Sequence, residues 1–359
     1  MNKRNTILKK YFQNLSTLPA QAYTLMDSRG GGNDSPSFPF NRVGKIFLIL
    51  SLIIILSIGC ASETAPTPTP TADIPPTDTP QPPPTETPLP TPIPTSTPIP
   101  TPEPIPVLMD EGWELVWQDE FDGDGINPEN WTYDIGGWGW GNGEAQYYTD
   151  RPENARVENG LLVIEARKEN FEDSFYTSAR LLTQGLQAFQ YGRIEARIKV
   201  PGGAGTWPAF WMLGDNFGRD TEDPNDSNWP NVGEIDIMEY VGREPDLVVG
   251  TVHGPGYAGA GGLTRWNRQD HPIADDFHTF SIEWDYDGIR WFYDGEPYYD
   301  LGREAVGDRE WVFDQPFFII LNVALGGTLG GFISPDTEFP VNMYVDYVRV
   351  YQQAASDAE

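Results

Sequence analysis

The stretch Gly233-Glu234-Ile235-Asp236-Ile237-Met238-Glu239-Tyr240 sets three carboxyl side chains among large apolar ones. Successive side chains of a β-strand point to opposite faces, so Glu234 and Asp236 share one face and the isoleucines occupy the other. Glu239 has the wrong parity for the first face, because it follows Glu234 by five positions. One extra residue in a β-bulge, most simply Met238, would return Glu239 to that face. The stretch therefore predicts a bulged strand with one apolar face and one face that carries three carboxyl groups.

Carboxyl groups crowded in this way have their pKa values driven apart, so one keeps a proton while another is ionised. Cleavage of a glycosidic bond with retention uses such a pair, about 5–5.5 Å apart, as nucleophile and as acid/base. Alternate residues of a strand are about 6.5–7 Å apart at Cα, and their carboxyl tips can converge to that distance. An exposed acidic strand face is the alternative interpretation, which the interleaved apolar residues and flanking aromatics disfavour.

The composition narrows the choice of partners. The 359 residues carry a formal net charge of −30, which argues against nucleic acid and anionic membrane surfaces as partners and is compatible with a neutral substrate. The chain has 12 Trp, and aromatic side chains in clefts provide platforms for sugar rings. Most of these Trp residues are nevertheless expected in the core of a β protein.

The single cysteine, Cys60, rules out an intrachain disulfide and a Cys-based metal site. It closes an apolar run, 46–60, that follows basic residues. The run is shorter than the ~20 residues of a spanning helix and ends in small residues, as a secretory signal does. Ser57-Ile58-Gly59-Cys60 is similar to a bacterial lipoprotein cleavage box, although Leu is more usual in place of Ser57. We expect export, with the protein tethered to the cell envelope through a lipid on Cys60 or through an uncleaved anchor, or released to the exterior.

Four regions follow from these patterns. Residues 1–60 form an N-terminal region with the signal segment, and residues 61–106 are Pro/Thr repeats that cannot bury a core. Proline-rich chains favour extended polyproline II, so the repeats are expected to act as a stalk. Residues 107–353 form the folded domain, and 354–359 are a tail.

The folded domain is expected to be all-β. Its short alternating runs are separated by Gly, Asn, Asp and Pro, no stretch has a convincing helical period, and Asp294-Gly295 is a hairpin signal. Many short strands with turns between them indicate a sandwich of two sheets. The runs are Trp113–Trp117, Leu161–Ile164, Gly192–Lys199, Thr279–Trp284, Ile289–Tyr293, Phe317–Asn322 and Met343–Tyr351.

At this point the chain resembles a known family. The segment Glu234–Glu239 is similar to the catalytic signature of glycoside hydrolase family 16 in its bulged form, and further motifs resemble bacterial endo-1,3-β-glucanases, or laminarinases. The resemblance covers residues 110–352 and implies a monomeric β-jelly-roll sandwich, concanavalin A-like, whose concave sheet carries the substrate cleft. These motifs are Trp117–Asp122, Gly141–Thr149, Ser178–Leu181, Tyr191–Arg197, Trp207–Leu213, Thr251–His253, Leu321–Gly327 and Val345–Tyr351.

The resemblance also implies roles for the acidic residues. Glu234 would be the nucleophile, Glu239 would be the acid/base, and Asp236 would hydrogen-bond the nucleophile and tune its charge. No cofactor is expected for catalysis. A structural Ca²⁺ on the convex face, away from the chemistry, would be held by the Asp346 side chain and the backbone oxygens of Glu120 and Gly160.

Sugar-binding positions are implied in the same way. Trp207 and Trp211 resemble an aromatic pair beside the cleaved bond, although a core position is an open alternative for Trp211. Arg180 resembles a polar contact for sugar hydroxyls, with a surface salt bridge as the alternative, and His253 would lie near the acid/base. The remaining expected positions are Asn142, Gln315, Asn322 and, at the cleft rim, Trp138. The Asp- and Asn-rich loop 215–230 is interpreted as solvated.

The leading interpretation is an exported enzyme that hydrolyses internal β-1,3 linkages of a glucan, with mixed β-1,3/1,4 linkages left open. One alternative keeps the chemistry and changes the polymer to agar, mixed-linkage glucan or xyloglucan. The other is a non-catalytic, tethered glucan-binding module on the same fold. The presence of both Glu234 and Glu239 in register favours catalysis.

Overall fold

The computed structural model describes residues 112–218 and 228–354. The expected signal segment, Cys60, the Pro/Thr stalk and most of the C-terminal tail lie outside these residues. Within them, no helix has the length and apolar character needed to cross a membrane. The described strands are β1 (Trp113–Asp119), β2 (Thr132–Tyr133), β3 (Gln146–Tyr148), β4 (Ala155–Glu158), β5 (Leu161–Phe171), β6 (Ser174–Ser178), β7 (Arg180–Leu182), β8 (Gly192–Lys199), β9 (Thr206–Gly214), β10 (Glu234–Tyr240), β11 (Leu247–His253), β12 (Leu263–Arg268), β13 (His278–Trp284), β14 (Gly288–Tyr293), β15 (Glu296–Gly302), β16 (Phe317–Leu325) and β17 (Val341–Gln353).

The strands form two sheets, and the expected all-β sandwich is confirmed. A ten-stranded sheet follows the order β15-β14-β13-β8-β17-β5-β6-β3, with β1 paired to β17 and β4 paired to β5. A seven-stranded sheet follows the order β12-β11-β10-β9-β16-β7-β2. Helical structure in the described residues is limited to three short 3₁₀ turns and one turn of helix, α1 (Gly327–Gly330).

The main core fills the space between the sheets. Trp284 and Trp291 from the ten-stranded sheet are fully buried there, together with Phe210 and Ile235 from the seven-stranded sheet. Alternating apolar residues on the inward faces of the strands therefore provide the packing that holds the sheets together.

Strand β16 departs from this alternation, because all nine of its residues are buried. Its outward side chains Phe318 and Ile320 belong to a second apolar cluster with Leu182 and Leu213. Trp211, Phe217 and Trp229 pack over that cluster. The outer face of the seven-stranded sheet thus has an apolar floor, which matches the continuous apolar run of β16 in the sequence.

Strand β10 contains the expected bulge. Its register shifts between Asp236 and Glu239 against β11, and between Asp236 and Met238 against β9. Met238 keeps a partner, Phe210, so on the β9 side the extra residue is Ile237 rather than the Met238 of the sequence expectation. Both residues of the bulge, Ile237 and Met238, are buried in the main core.

The other sheet fixes the bulge. The indole Nε1 of Trp291, on β14, donates a hydrogen bond to the main-chain oxygen of Asp236 at 2.9 Å. Gly250, on β11, leaves space for this indole: a Cβ at that position would lie 2.8 Å from Trp291 Cδ1. A buried carbonyl that a bulge removes from the regular ladder is therefore satisfied by a side chain from across the core.

We expect Gly250→Ala to reduce the free energy of unfolding by about 1–3 kcal/mol, because the added methyl group displaces the Trp291 indole. The same variant should lose catalytic activity in the folded state, since the bulge aligns Glu239. Urea denaturation and initial rates measure the two effects. Gly261→Ala is the control, because a Cβ there meets open space. Equal stability and activity of the two variants would show that the indole does not set the bulge.

Candidate active site

Three carboxyl groups lie on the outer face of the seven-stranded sheet, here called the carboxylate face. Residues paired directly across a sheet share a face. Glu234 pairs with Leu213 and His253, Asp236 with Trp211 and Thr251, and Glu239 with Ala209 and Val249. The bulge therefore returns Glu239 to the face of Glu234, as its parity predicted.

Glu234 is held at both carboxylate oxygens. Trp229 Nε1 donates a hydrogen bond to Oε2 at 2.9 Å, and His253 Nε2 lies 3.6 Å from Oε1. The indole hydrogen bond and the neighbouring imidazole together favour one direction of the carboxyl group, as a nucleophile that must approach one carbon atom requires.

Asp236 lies at the centre of the group and is only 3% exposed. Its Oδ2 is 3.3 Å from His253 Nε2. His253 therefore contacts Asp236 and Glu234, the expected nucleophile, and its charge also lowers the pKa of Glu239, the expected acid/base. The direct contacts follow from the register, because His253 pairs with Glu234 while Glu239 faces Val249.

Glu239 accepts a hydrogen bond at Oε1 from Trp207 Nε1 at 3.0 Å. The indole edge of Trp207 thus orients the carboxyl group, and its expected role as a stacking platform stays a prediction. The other carboxyl oxygen is the one that can carry the proton for a leaving group.

The electrostatics separate these groups. Burial, and then the negative charge of Asp236, raise the pKa of Glu234 to about 7 and that of Glu239 to about 8. Burial disfavours the imidazolium form of His253, but contact with Asp236 and the charge of Glu234 outweigh it and raise its pKa to about 9. At neutral pH the site thus combines a protonated Glu239, a partly ionised Glu234 and a cationic His253.

Glu234, Asp236 and His253 are the one group in the described ranges whose side-chain ligand atoms, all within 4.8 Å of one another, could hold a metal ion. The imidazolium of His253 also compensates the charge of the two carboxyl groups that it contacts.

A buried polar network continues from the carboxyl groups along the same face. Trp211 Nε1 donates to Asn322 Oδ1 at 2.7 Å, and Asn322 Nδ2 donates to the Tyr148 hydroxyl at 3.1 Å. Tyr148 and Asn142 both donate to the carboxyl group of Glu144. Trp211, Asn322 and Asn142 are thus brought together as expected, and Trp211 is half-buried rather than a core residue.

Arg180 joins this network from β7. Its guanidinium lies over the rings of Trp140 and Trp211, at 5.0 and 4.6 Å from the ring centroids. Its Nε is 3.2 Å from Asp134 Oδ2. The salt bridge that was weighed as an alternative exists, yet Arg180 also lies on the carboxylate face, where it pairs with Asn322.

Two residues that were expected to bind sugar, Gln315 and Trp138, contact other parts of the protein. Gln315 Nε2 donates to the main-chain oxygens of Val232 and Val312, so its amide supports the segment that enters β10. Trp138 packs on Trp140 with ring centroids 4.0 Å apart. A sugar contact by either residue stays a prediction.

Several residues of the site were missed by sequence reasoning. Trp229 lies in the loop interpreted as solvated, yet its indole binds Glu234 and packs over the outer apolar cluster. Glu144 and Tyr148 occur in the quoted motif Gly141–Thr149 but were not singled out. The available signal for Trp229 was a large aromatic residue five positions before Glu234 in an otherwise polar loop.

One of the expected calcium ligands has a protein partner. Asp346 Oδ2 accepts a hydrogen bond from Arg197 at 2.8 Å. The Arg197 contact compensates part of the Asp346 charge that a calcium ion would use. Calcium binding at this position stays a prediction, and no catalytic step depends on the ion.

Comparison with known proteins agrees with the fold and identifies the family. A family model described as glycosyl hydrolases family 16 matches residues 142–349. The beta-glucanase of Rhodothermus marinus is 52% identical over 249 residues, which are 67% of this chain and 85% of that protein. The laminarinase catalytic domain of Thermotoga maritima has a TM-score of 0.64 at 49% identity, with coverage of 68% of this chain and 100% of that one. A non-specific endo-β-1,3(4)-glucanase of the family has a TM-score of 0.61 at 40% identity, with coverage of 68% and 93%.

A two-sheet jelly roll with two glutamates held on one face of a sheet defines a β-sandwich glycoside hydrolase. The bulge, the paired carboxyl groups and the family match all lie in the same part of the chain. The chain belongs to the glycosyl hydrolases family 16.

We expect His253→Gln to shift the pH profile of kcat/KM to higher pH. The imidazolium stabilises the ionised form of Glu234, so its removal raises the pKa of Glu234. The ascending limb of the profile, which follows ionisation of Glu234, therefore moves to higher pH. The descending limb, set by Glu239, should move in the same direction, because His253 also lowers its pKa.

The control for this experiment is His271→Gln, at an exposed histidine paired with Asp270. Its profile should match that of the unmodified protein. An ascending limb that stays in place or moves to lower pH in His253→Gln would contradict the assigned charge role.

Proposed function

We propose that this protein is a retaining endo-glycosidase that hydrolyses internal β-1,3 linkages of a glucan by double displacement. The observation that carries the proposal is the bulge, which places Glu239 on the face of Glu234 while an indole N–H holds each carboxyl group. Two oriented carboxyl groups with Glu239 as the weaker acid meet the requirement for a nucleophile and an acid/base.

In the first step, ionised Glu234 attacks the anomeric carbon and forms a glycosyl ester. The bond from that carbon to the bridging oxygen breaks, and protonated Glu239 transfers its proton to the departing oxygen. Trp207 keeps the other Glu239 oxygen bound, so the proton-bearing oxygen has a defined direction. His253 stabilises the ionised form of Glu234 before the attack.

In the second step, Glu239, now a carboxylate, removes a proton from water as the water oxygen attacks the anomeric carbon. The ester bond breaks, and the electron pair returns to Glu234. His253 stabilises the carboxylate as it is released, because its Nε2 lies 3.6 Å from Glu234 Oε1. The reaction uses two carboxyl groups and water, so no cofactor enters it.

The polymer is assigned as β-1,3-glucan. The similarity to a beta-glucanase and to a laminarinase domain supports this assignment. The similarity to a non-specific endo-β-1,3(4)-glucanase favours mixed-linkage glucan as the second candidate. Digestion of laminarin, lichenan, agar and xyloglucan by the protein tests both candidate substrates. The proposal requires laminarin to be cleaved to oligosaccharides with retained anomeric configuration. Cleavage of lichenan would support the broader specificity.

Amide variants test the two carboxyl roles. We expect Glu234→Gln to abolish laminarin hydrolysis and Glu239→Gln to lower kcat by about 10²–10⁴, while laminarin binding persists in both. With an aryl glucoside that has a good leaving group, Glu239→Gln should still release the aryl alcohol in a burst, because that departure needs no proton. Glu244→Gln, at an exposed acid paired with Arg268, is the control and should retain full activity. Full activity of Glu234→Gln would refute the mechanism.

The protein is further proposed to be exported and held at the cell envelope by a lipid on Cys60, with the Pro/Thr repeats as spacer. The apolar run and the small residues before Cys60 support this. Fatty-acid labelling of cells should mark the wild-type protein and should not mark the Cys60→Ala variant. That variant should also be absent from the membrane fraction. An unlabelled variant that stays in that fraction would instead indicate an uncleaved anchor, and equal labelling of both would exclude lipidation of Cys60.

A further inference from the structure

One large aromatic residue on the seven-stranded sheet has no role in the site described so far. Trp266 lies in the middle of β12, the edge strand of that sheet, and is 57% exposed. Its neighbours in the strand are polar: Thr264, Arg265, Asn267 and Arg268. An isolated tryptophan exposed on an otherwise polar edge strand gains nothing from core packing, and such a position favours a binding role.

The strand register places Trp266 in line with the acid/base. Paired residues form one continuous row across six strands of the carboxylate face. In order, this row is Arg180, Asn322, Ala209, Glu239, Val249 and Trp266. Trp266 is two strands from Glu239, which corresponds to about 10 Å at Cα.

A second observation, independent of this row of paired residues, shows on which face of the sheet Trp266 lies. Thr264, two residues before Trp266 on β12, is paired with Thr251, and their hydroxyl oxygens are 3.2 Å apart. Thr251 is the partner of Asp236, so this contact lies on the carboxylate face. Arg265 points the other way, over the ring of Tyr299. Alternation along the strand therefore directs Trp266 to the side of the carboxyl groups.

We propose that Trp266 is a sugar-stacking residue of a distal subsite, which binds the glucan chain beyond the cleaved bond on the β12 side of the face. This inference rests on the proposed glucanase function and extends it to longer substrates. The flat indole face would cover the C–H face of a pyranose ring, and Arg180 and Trp266 would mark the two ends of the bound chain. Interaction with several sugars on both sides of the bond favours cleavage within a polymer over cleavage at its ends.

The test compares Trp266→Ala and Trp266→Phe with the unmodified protein on laminarin and on laminari-oligosaccharides of increasing length. For Trp266→Ala we expect kcat/KM to fall by about tenfold on laminarin and far less on the shortest oligosaccharides, which cannot reach β12. Trp266→Phe should recover most of the activity, because it keeps an aromatic face. Phe175→Ala, at an exposed aromatic residue of the ten-stranded sheet, is the control and should match the unmodified protein.

A binding measurement separates this inference from the function on which it rests. Retardation of the protein in gels that contain laminarin should weaken in Trp266→Ala whether or not the glucan is cleaved. Failure of the unmodified protein to hydrolyse any β-glucan would overturn the proposed function alone. A Trp266→Ala variant with normal retardation, or with equal losses at every chain length, would overturn the distal subsite alone.

Discussion

The hydrogen bond between the Trp291 indole and the main-chain oxygen of Asp236 is the contact on which the catalytic geometry depends. It crosses the core and stabilises one carbonyl at the point where β10 gains a residue. If β10 lacked the extra residue at this place, its pairing register would slip by one position. Acidic side chains would then point into the core. The ten-stranded sheet is therefore part of the active-site support, since it supplies the donor that keeps the irregular strand in register.

Indole N–H groups serve as the main fixed donors around the carboxyl groups. Trp229 binds Glu234, Trp207 binds Glu239, and Trp291 binds the backbone between them. An indole donates one hydrogen bond without bringing a charge, so it orients a carboxyl group and lowers its pKa by less than burial raises it. Two cationic groups, His253 and Arg180, then favour the ionised form of Glu234. Neutral donors together with these two cations explain how three acids can remain close together.

The sequence contained the parity argument that places Glu239 on the acidic face, and this argument needed no partner strand. It could not show which residue would be unpaired, because Phe210 on another strand decides that Met238 keeps its pairing. Trp207 and Trp229 show the same limit. Their aromatic character was visible, yet whether an indole presents its face or its N–H edge depends on contacts formed only in the fold. The sequence also could not show that His253 contacts Glu234 and Asp236 directly, because register across β10 and β11 is a tertiary property.

The separation between the centre and the two flanks of the carboxylate face has a consequence for how the family can diversify. The bulge and its donor lie at the junction of β10, β11 and β14, whereas the ends of the cross-strand row lie on β7 and β12. Substitutions at the outer strands can change which polymer is accepted without disturbing the proton-transfer geometry. New specificities could thus evolve by exchange of residues at the sheet margins, while the reaction itself is inherited unchanged.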